Sequence, residues 1–91
     1  MGFDEFFEFI YSICPSKGSF GARLKSGKAA AFVKLLKKRA KVISQAGSAV
    51  VRFEFDGARG LFIAPDMVIV ELGSGKKLDD AKELLDRLTS G

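Results

Sequence analysis

The sequence predicts an α+β fold: a small antiparallel three-stranded meander with helices, in the order α-α-β-β-β-α. Two early segments place apolar residues at helical spacing, a later stretch alternates apolar and polar residues between turn signals, and a last segment returns to helical spacing. With 91 residues the chain is read as a single domain, residues 1–91, large enough for one modest core. Nine phenylalanines supply much of its volume.

The first helix is expected over Phe3 to Cys14, where Phe3, Phe6, Phe7, Ile10, Ile13 and Cys14 form one broad face and Pro15 ends it. Ser16 to Gly27 holds three glycines and reads as a loop, although Phe20, Ala22 and Leu24 alternate as a short edge strand would. The second helix is expected over Lys28 to Ala46. Ala29, Phe32, Val33, Leu36, Ala40 and Ile43 form its apolar side, Lys34, Lys37, Lys38 and Lys41 lie opposite, and Gly47 ends it. Three strands follow. Ala49, Val51, Phe53 and Phe55 alternate with Ser48, Val50, Arg52 and Glu54; Leu61 to Ala64 is the second strand and Met67 to Leu72 the third. Asp56 and Gly57 open the first turn, which closes by Gly60, and Pro65 with Asp66 makes the second. The last helix, about Asp79 to Thr89, buries Ala81, Leu84, Leu85 and Leu88 and starts on the acidic pair that suits its positive end.

Charge is segregated. Between Glu8 and Glu54 no acidic residue occurs, yet ten basic ones do: Lys17, Arg23, Lys25, Lys28, Lys34, Lys37, Lys38, Arg39, Lys41 and Arg52. The remainder holds five basic and eleven acidic residues, which brings the net charge back to +4. Folded domains usually intersperse both signs, because like charges repel. A polyanionic partner offsets that repulsion by releasing its counterions. The competing explanation is an ordinary solvated helix face whose lysines pair with the acidic remainder of the fold. The pattern points to a non-enzymatic nucleic-acid-binding domain that contacts phosphates with a basic loop and helix over residues 17–41, through Lys17, Arg23, Lys25, Lys28, Lys34, Lys37, Lys38 and Lys41. No recognition helix is evident, which favours RNA over DNA. A membrane surface is not expected, because Phe32, Leu36 and Ile43 are needed for the core.

Gly18 to Gly21 is a GxxG between the two expected helices, an arrangement with which KH domains clamp nucleic-acid backbone. Gly57 to Gly60 repeats the spacing inside a hairpin, so the motif assigns no family. Its physical content is that glycine amides flanked by Lys17 and Arg23 can approach phosphate closely. Phe20 is there to stack on a base or, more commonly for a phenylalanine, to fill the core.

A second function class is a protein-interaction module, or a small subunit of a larger complex, that associates through an exposed sheet face. Met67, Ile69 and Val50 lie on the second face of their strands and would form an apolar patch, giving a homodimer or a complex with another protein, unless a helix covers them.

Enzymatic chemistry finds little purchase. The chain has no histidine, which removes Ser-His-Asp triads, Cys-His pairs and histidine metal sites. Ser26-Gly27-Lys28 resembles the end of a phosphate-binding loop, but Ala22 and Ala29 replace its first glycine and its hydroxyl residue. No catalytic residue, metal site or cofactor is expected. Cys14, the single cysteine, is read as a small core residue that alkylates slowly, and its solitude argues for a reducing compartment or for indifference to redox, with a cytoplasmic setting expected. The absence of asparagine and the single glutamine, Gln45, match one compositional mark of thermophile proteins.

Overall fold

The computed structural model describes residues 2–47 and 49–90; Ser48, read above as part of a strand, lies outside them. The fold is α+β, but the sheet is larger than the predicted meander. Among the described residues it has six strands, all antiparallel, with three helices. The elements are α1 (Gly2–Phe6), β1 (Phe7–Cys14), a 3-10 turn (Pro15–Lys17), β2 (Ser19–Leu24), α2 (Ala29–Arg39), β3 (Lys41–Ala46), β4 (Val50–Phe55), β5 (Ala58–Ile63), β6 (Met67–Glu71) and α3 (Leu78–Thr89). The strand order is β1-β2-β6-β5-β4-β3, so β1 and β3 form the two edges.

The meander β4-β5-β6 and α3 form where their sequences predict. Asp56 and Gly57 make a two-residue turn with both φ positive, 51° and 82°, the hairpin geometry whose twist matches the flanking strands. The turn is tighter than expected, so β5 begins at Ala58. In α3 the Asp80 carboxylate accepts from the Lys77 amide at 2.8 Å and holds the first turn, while Ala81, Leu84, Leu85 and Leu88 are buried.

Three segments depart from expectation, and bulges explain two of them. The first helix stops at Phe6, and Phe7 to Cys14 is an edge strand. Its register shifts between Phe7 and Phe9 and again between Ser12 and Cys14. The extra residue puts Phe7 and Ile10, three apart, on one face and so imitates a helical repeat. The second helix likewise ends at Arg39. Ala40 turns extended, and Lys41 to Ala46 is the opposite edge strand, bulged between Val42 and Ser44. Lys41 and Ile43 therefore belong to a strand and not to the helix. Third, Ser19 to Leu24 is neither loop nor edge but an inner strand between β1 and β6.

One face of the sheet carries the core. Phe7, Phe20, Val51, Phe53, Phe62, Val68 and Val70 are buried there with Phe32 and Leu36 of α2 and the leucines of α3. Phe32, fully buried, lies edge-on to Phe7 at 5.6 Å and Phe53 at 6.3 Å, and tilted to Phe62 at 6.0 Å. The Phe53 ring crosses Gly60 of the next strand, where a Cβ would meet it. Among the described residues, no helix is long and apolar enough to cross a membrane.

Candidate functional site

The basic residues of the acid-free interval fall into four places. Lys34, Lys37 and Lys38 are exposed on α2. At 100° per residue Lys34 and Lys38 point directly away from Phe32 and Leu36, with Lys37 on the flank. Lys25 and Lys28 lie in the connection that leads into this helix, and the Lys28 ammonium sits 5.3 Å from the centre of the Phe6 ring. Arg23 and Lys41 project from the opposite face of the sheet, where Lys41 stands across from Glu54. Lys17 lies in the 3-10 turn at the far end of β2 from Lys25. The fold thus gathers Lys34, Lys37 and Lys38 on α2, sets Lys25 beside Arg23, Glu8 and Asp66 around one cleft, and leaves Lys17 and Lys41 elsewhere.

Ion pairing discriminates among these groups. Arg23 contacts Asp66 at 2.9 Å and Glu8 at 3.5 Å. Among the described residues, the other ion pairs belong to Arg87, which meets Asp56 at 2.6 Å and Glu83 at 3.4 Å. No carboxylate lies within ion-pair distance of Lys25, Lys28, Lys34, Lys37 or Lys38 among the described residues. Arg39 is turned inward to the protein's own backbone. Its guanidinium donates to the Arg87 and Ser90 carbonyls at 3.0 and 2.8 Å, which closes the C-terminal end of α3.

The glycine segment does not present free amides. Gly18, at φ 67°, is packed against the backbone of Gly73, and its carbonyl accepts from the Leu72 amide at 2.8 Å. Gly21 lies inside a strand paired on both sides and is covered by the Tyr11 ring. Phe20 is buried. Phosphate therefore has no access to a glycine cradle here, because sheet pairing and close packing already use it.

The outer sheet face is the feature that sequence reasoning captured only in part. Residues directly opposite one another in antiparallel strands share a face. The register therefore builds three rows across the outer side. One end row reads Cys14, Ser19, Glu71, Arg59, Glu54, Lys41; the middle row reads Tyr11, Gly21, Ile69, Leu61, Arg52, Ser44; the other end row reads Phe9, Arg23, Met67, Ile63, Val50, Ala46. Val50, Met67 and Ile69 lie on this face as the alternation predicted, joined by Leu61 and Ile63, and all five are half-buried. The buried core contains none of them, and the three helices pack on the other side. Tyr11 lies flat over Gly21, donates its hydroxyl to Met67 Sδ at 3.1 Å, and has the Phe9 ring, 48% exposed, 6.0 Å away. The bulges hid Phe9 and Tyr11, which otherwise read as members of a helix.

Cys14 also departs from expectation. It sits partly exposed on the edge strand, with Sγ 3.5 Å from the Ser16 hydroxyl. That hydrogen bond, aided by the Lys17 backbone amide and the Lys17 charge, draws the thiol below its ordinary pKa. No group of three His, Cys, Asp or Glu side chains converges as a metal site among the described residues. No family model, curated protein or solved structure matches the chain, so its own geometry must carry any functional reading.

Proposed function

We propose that the protein is a non-enzymatic nucleic-acid-binding domain that holds backbone phosphates with the outer surface of α2, through Lys34, Lys37 and Lys38, extended by Lys25 and Lys28. The observation that supports this reading is the missing internal partner. Among the described residues no carboxylate lies within ion-pair distance of these five lysines, although such pairing is the ordinary use for a basic face. Contacts of this kind set position without reading base sequence, and structured RNA is the favoured ligand. Binding should weaken steeply with salt. Three to five engaged phosphates give a slope of log K against log salt between about −2.7 and −4.5 on a duplex. Titration of a labelled duplex at several salt concentrations measures it. Replacing Lys34, Lys37 and Lys38 together by glutamine should flatten the slope, whereas Lys41→Gln, on the opposite face, should not. Absence of binding by the wild type at low salt removes the reading.

A second reading, a protein-interaction module, is supported by a separate observation: the outer sheet face is apolar at its centre and, among the described residues, no helix covers it.

A further inference from the structure

We propose that the outer sheet face closes against a second copy of the same chain, about a two-fold axis that runs parallel to the strands and passes between β5 and β6. This rests on reading that face as an interaction surface and adds the identity of the occupant and the orientation of the pair.

The rows determine the orientation. A two-fold axis along the strands sets each row against the same row of the second copy in reverse order. In the charged row, Glu71 of one copy then faces Arg59 of the other, and the reciprocal pair forms by symmetry. In the middle row Ile69 faces Leu61, and in the third Met67 faces Ile63, so apolar groups meet at the centre. Arg52, which has no carboxylate in ion-pair distance among the described residues, is carried over Gly21 of the second copy, beside the Tyr11 ring that covers it. A guanidinium on a tyrosine face is a favourable contact.

A second face-to-face arrangement, an axis across the strands, fails on the same rows. It sets Glu71 on Met67, Arg59 on Ile63 and Glu54 on Val50, and brings Arg52 onto Arg52. Buried charges without partners and like charges in contact both oppose association. The first orientation pairs Glu71 with Arg59 and sets over an apolar group, Val50, only Arg23, which Asp66 and Glu8 of its own chain already hold; the second leaves Glu71, Arg59 and Glu54 all on apolar groups.

The size is adequate. At about 4.8 Å between strands and about 3.4 Å per residue, six strands and three rows span roughly 24 by 14 Å between outermost Cα positions. Side chains extending past that rim bring the face to the order of the ~800 Å² per partner of a standard interface. Aligned packing of two twisted sheets suits an axis along the strands.

Sedimentation velocity on the full chain across a wide concentration range tests the proposal. The wild type should be a dimer and Ile69→Glu a monomer with unchanged circular dichroism. Arg59→Glu and Glu71→Arg, each alone, should weaken self-association roughly ten-fold or more, because like charges then face each other. Mixing these two variants should restore a dimer containing one of each. Pairing of the same residues within one chain cannot produce that rescue. Single charge variants that dimerise like the wild type, or a mixture without rescue, overturn the orientation. A wild type that stays monomeric overturns the dimer. In that case binding of the dye 8-anilinonaphthalene-1-sulfonate, abolished by Ile69→Glu, would leave the face an interaction surface for another protein. A monomer that binds no dye overturns both.

Discussion

The two faces of the sheet are built from similar residues and differ in what lies over them. On each face a glycine sits beneath an aromatic ring from the adjacent strand: Gly60 under Phe53 inside, Gly21 under Tyr11 outside. On each, the middle strands supply aliphatic side chains. Inside, those side chains are sealed by α2, α3 and α1; outside, they stay half-buried and are framed by a row of alternating charge. The lesson is that hydrophobicity does not separate core from surface here. The charged row does, since Glu71, Arg59, Glu54 and Lys41 have no counterpart on the inner side.

Substitutions can test that contrast. The largest effect is expected inside. Phe32→Ala removes the ring shared by Phe7, Phe53 and Phe62 and should cost about 3–5 kcal/mol in urea unfolding. A loss below about 1 kcal/mol would mean that the inner face tolerates cavities as an open surface does. The paired glycines give a direct comparison. Gly60→Ala forces a methyl group into the Phe53 ring beneath the helices, where neither can retreat, and should cost about 1–3 kcal/mol. Gly21→Ala meets the Tyr11 ring, which in the separated monomer can swing away from the sheet, and should cost the monomer less than Gly60→Ala. Equal losses would show the outer face to be as constrained as the core. The smallest effect concerns the edge. Cys14 should alkylate readily with iodoacetamide, with a rate that rises at a pH below the ordinary thiol range, since the thiolate is the nucleophile. Ser16→Ala should move that rise to higher pH without changing stability. A slow, pH-insensitive reaction would instead place Cys14 in the core.

How much of this was legible depends on where the alternation is interrupted. From Val50 to Glu71 the period of two runs between turn residues with specific backbone needs, so the meander could be read directly. The leucines of α3 were equally plain. The edges were not, because each bulge adds a residue and turns a spacing of two into three, which Phe7 and Ile10 then share with a helix. Lys41 and Ile43 joined the apparent second helix for a related reason: Ala40 and the bulge keep the apolar positions near helical spacing after the helix has ended. For the candidate site, the absence of acids between Glu8 and Glu54 was visible, and so was the outward set Lys34, Lys37 and Lys38. Partner assignment was not, because it depends on residues distant in the chain: Asp66 for Arg23, and the end of α3 for Arg39. The apolar outer patch was anticipated from Met67, Ile69 and Val50, but Tyr11 and Gly21 entered it only when β1 and β2 proved to be strands.

The bulges bear on growth as well as on reading. A six-stranded sheet with two free edges is a template on which further chains could add strand by strand without limit. In this protein both terminal strands, β1 and β3, are the ones whose register is broken. An incoming strand would find the donors and acceptors out of step partway along either edge, so lateral recruitment stalls after a few bonds. Polymerisation into fibres is thereby discouraged at the two places where it would begin.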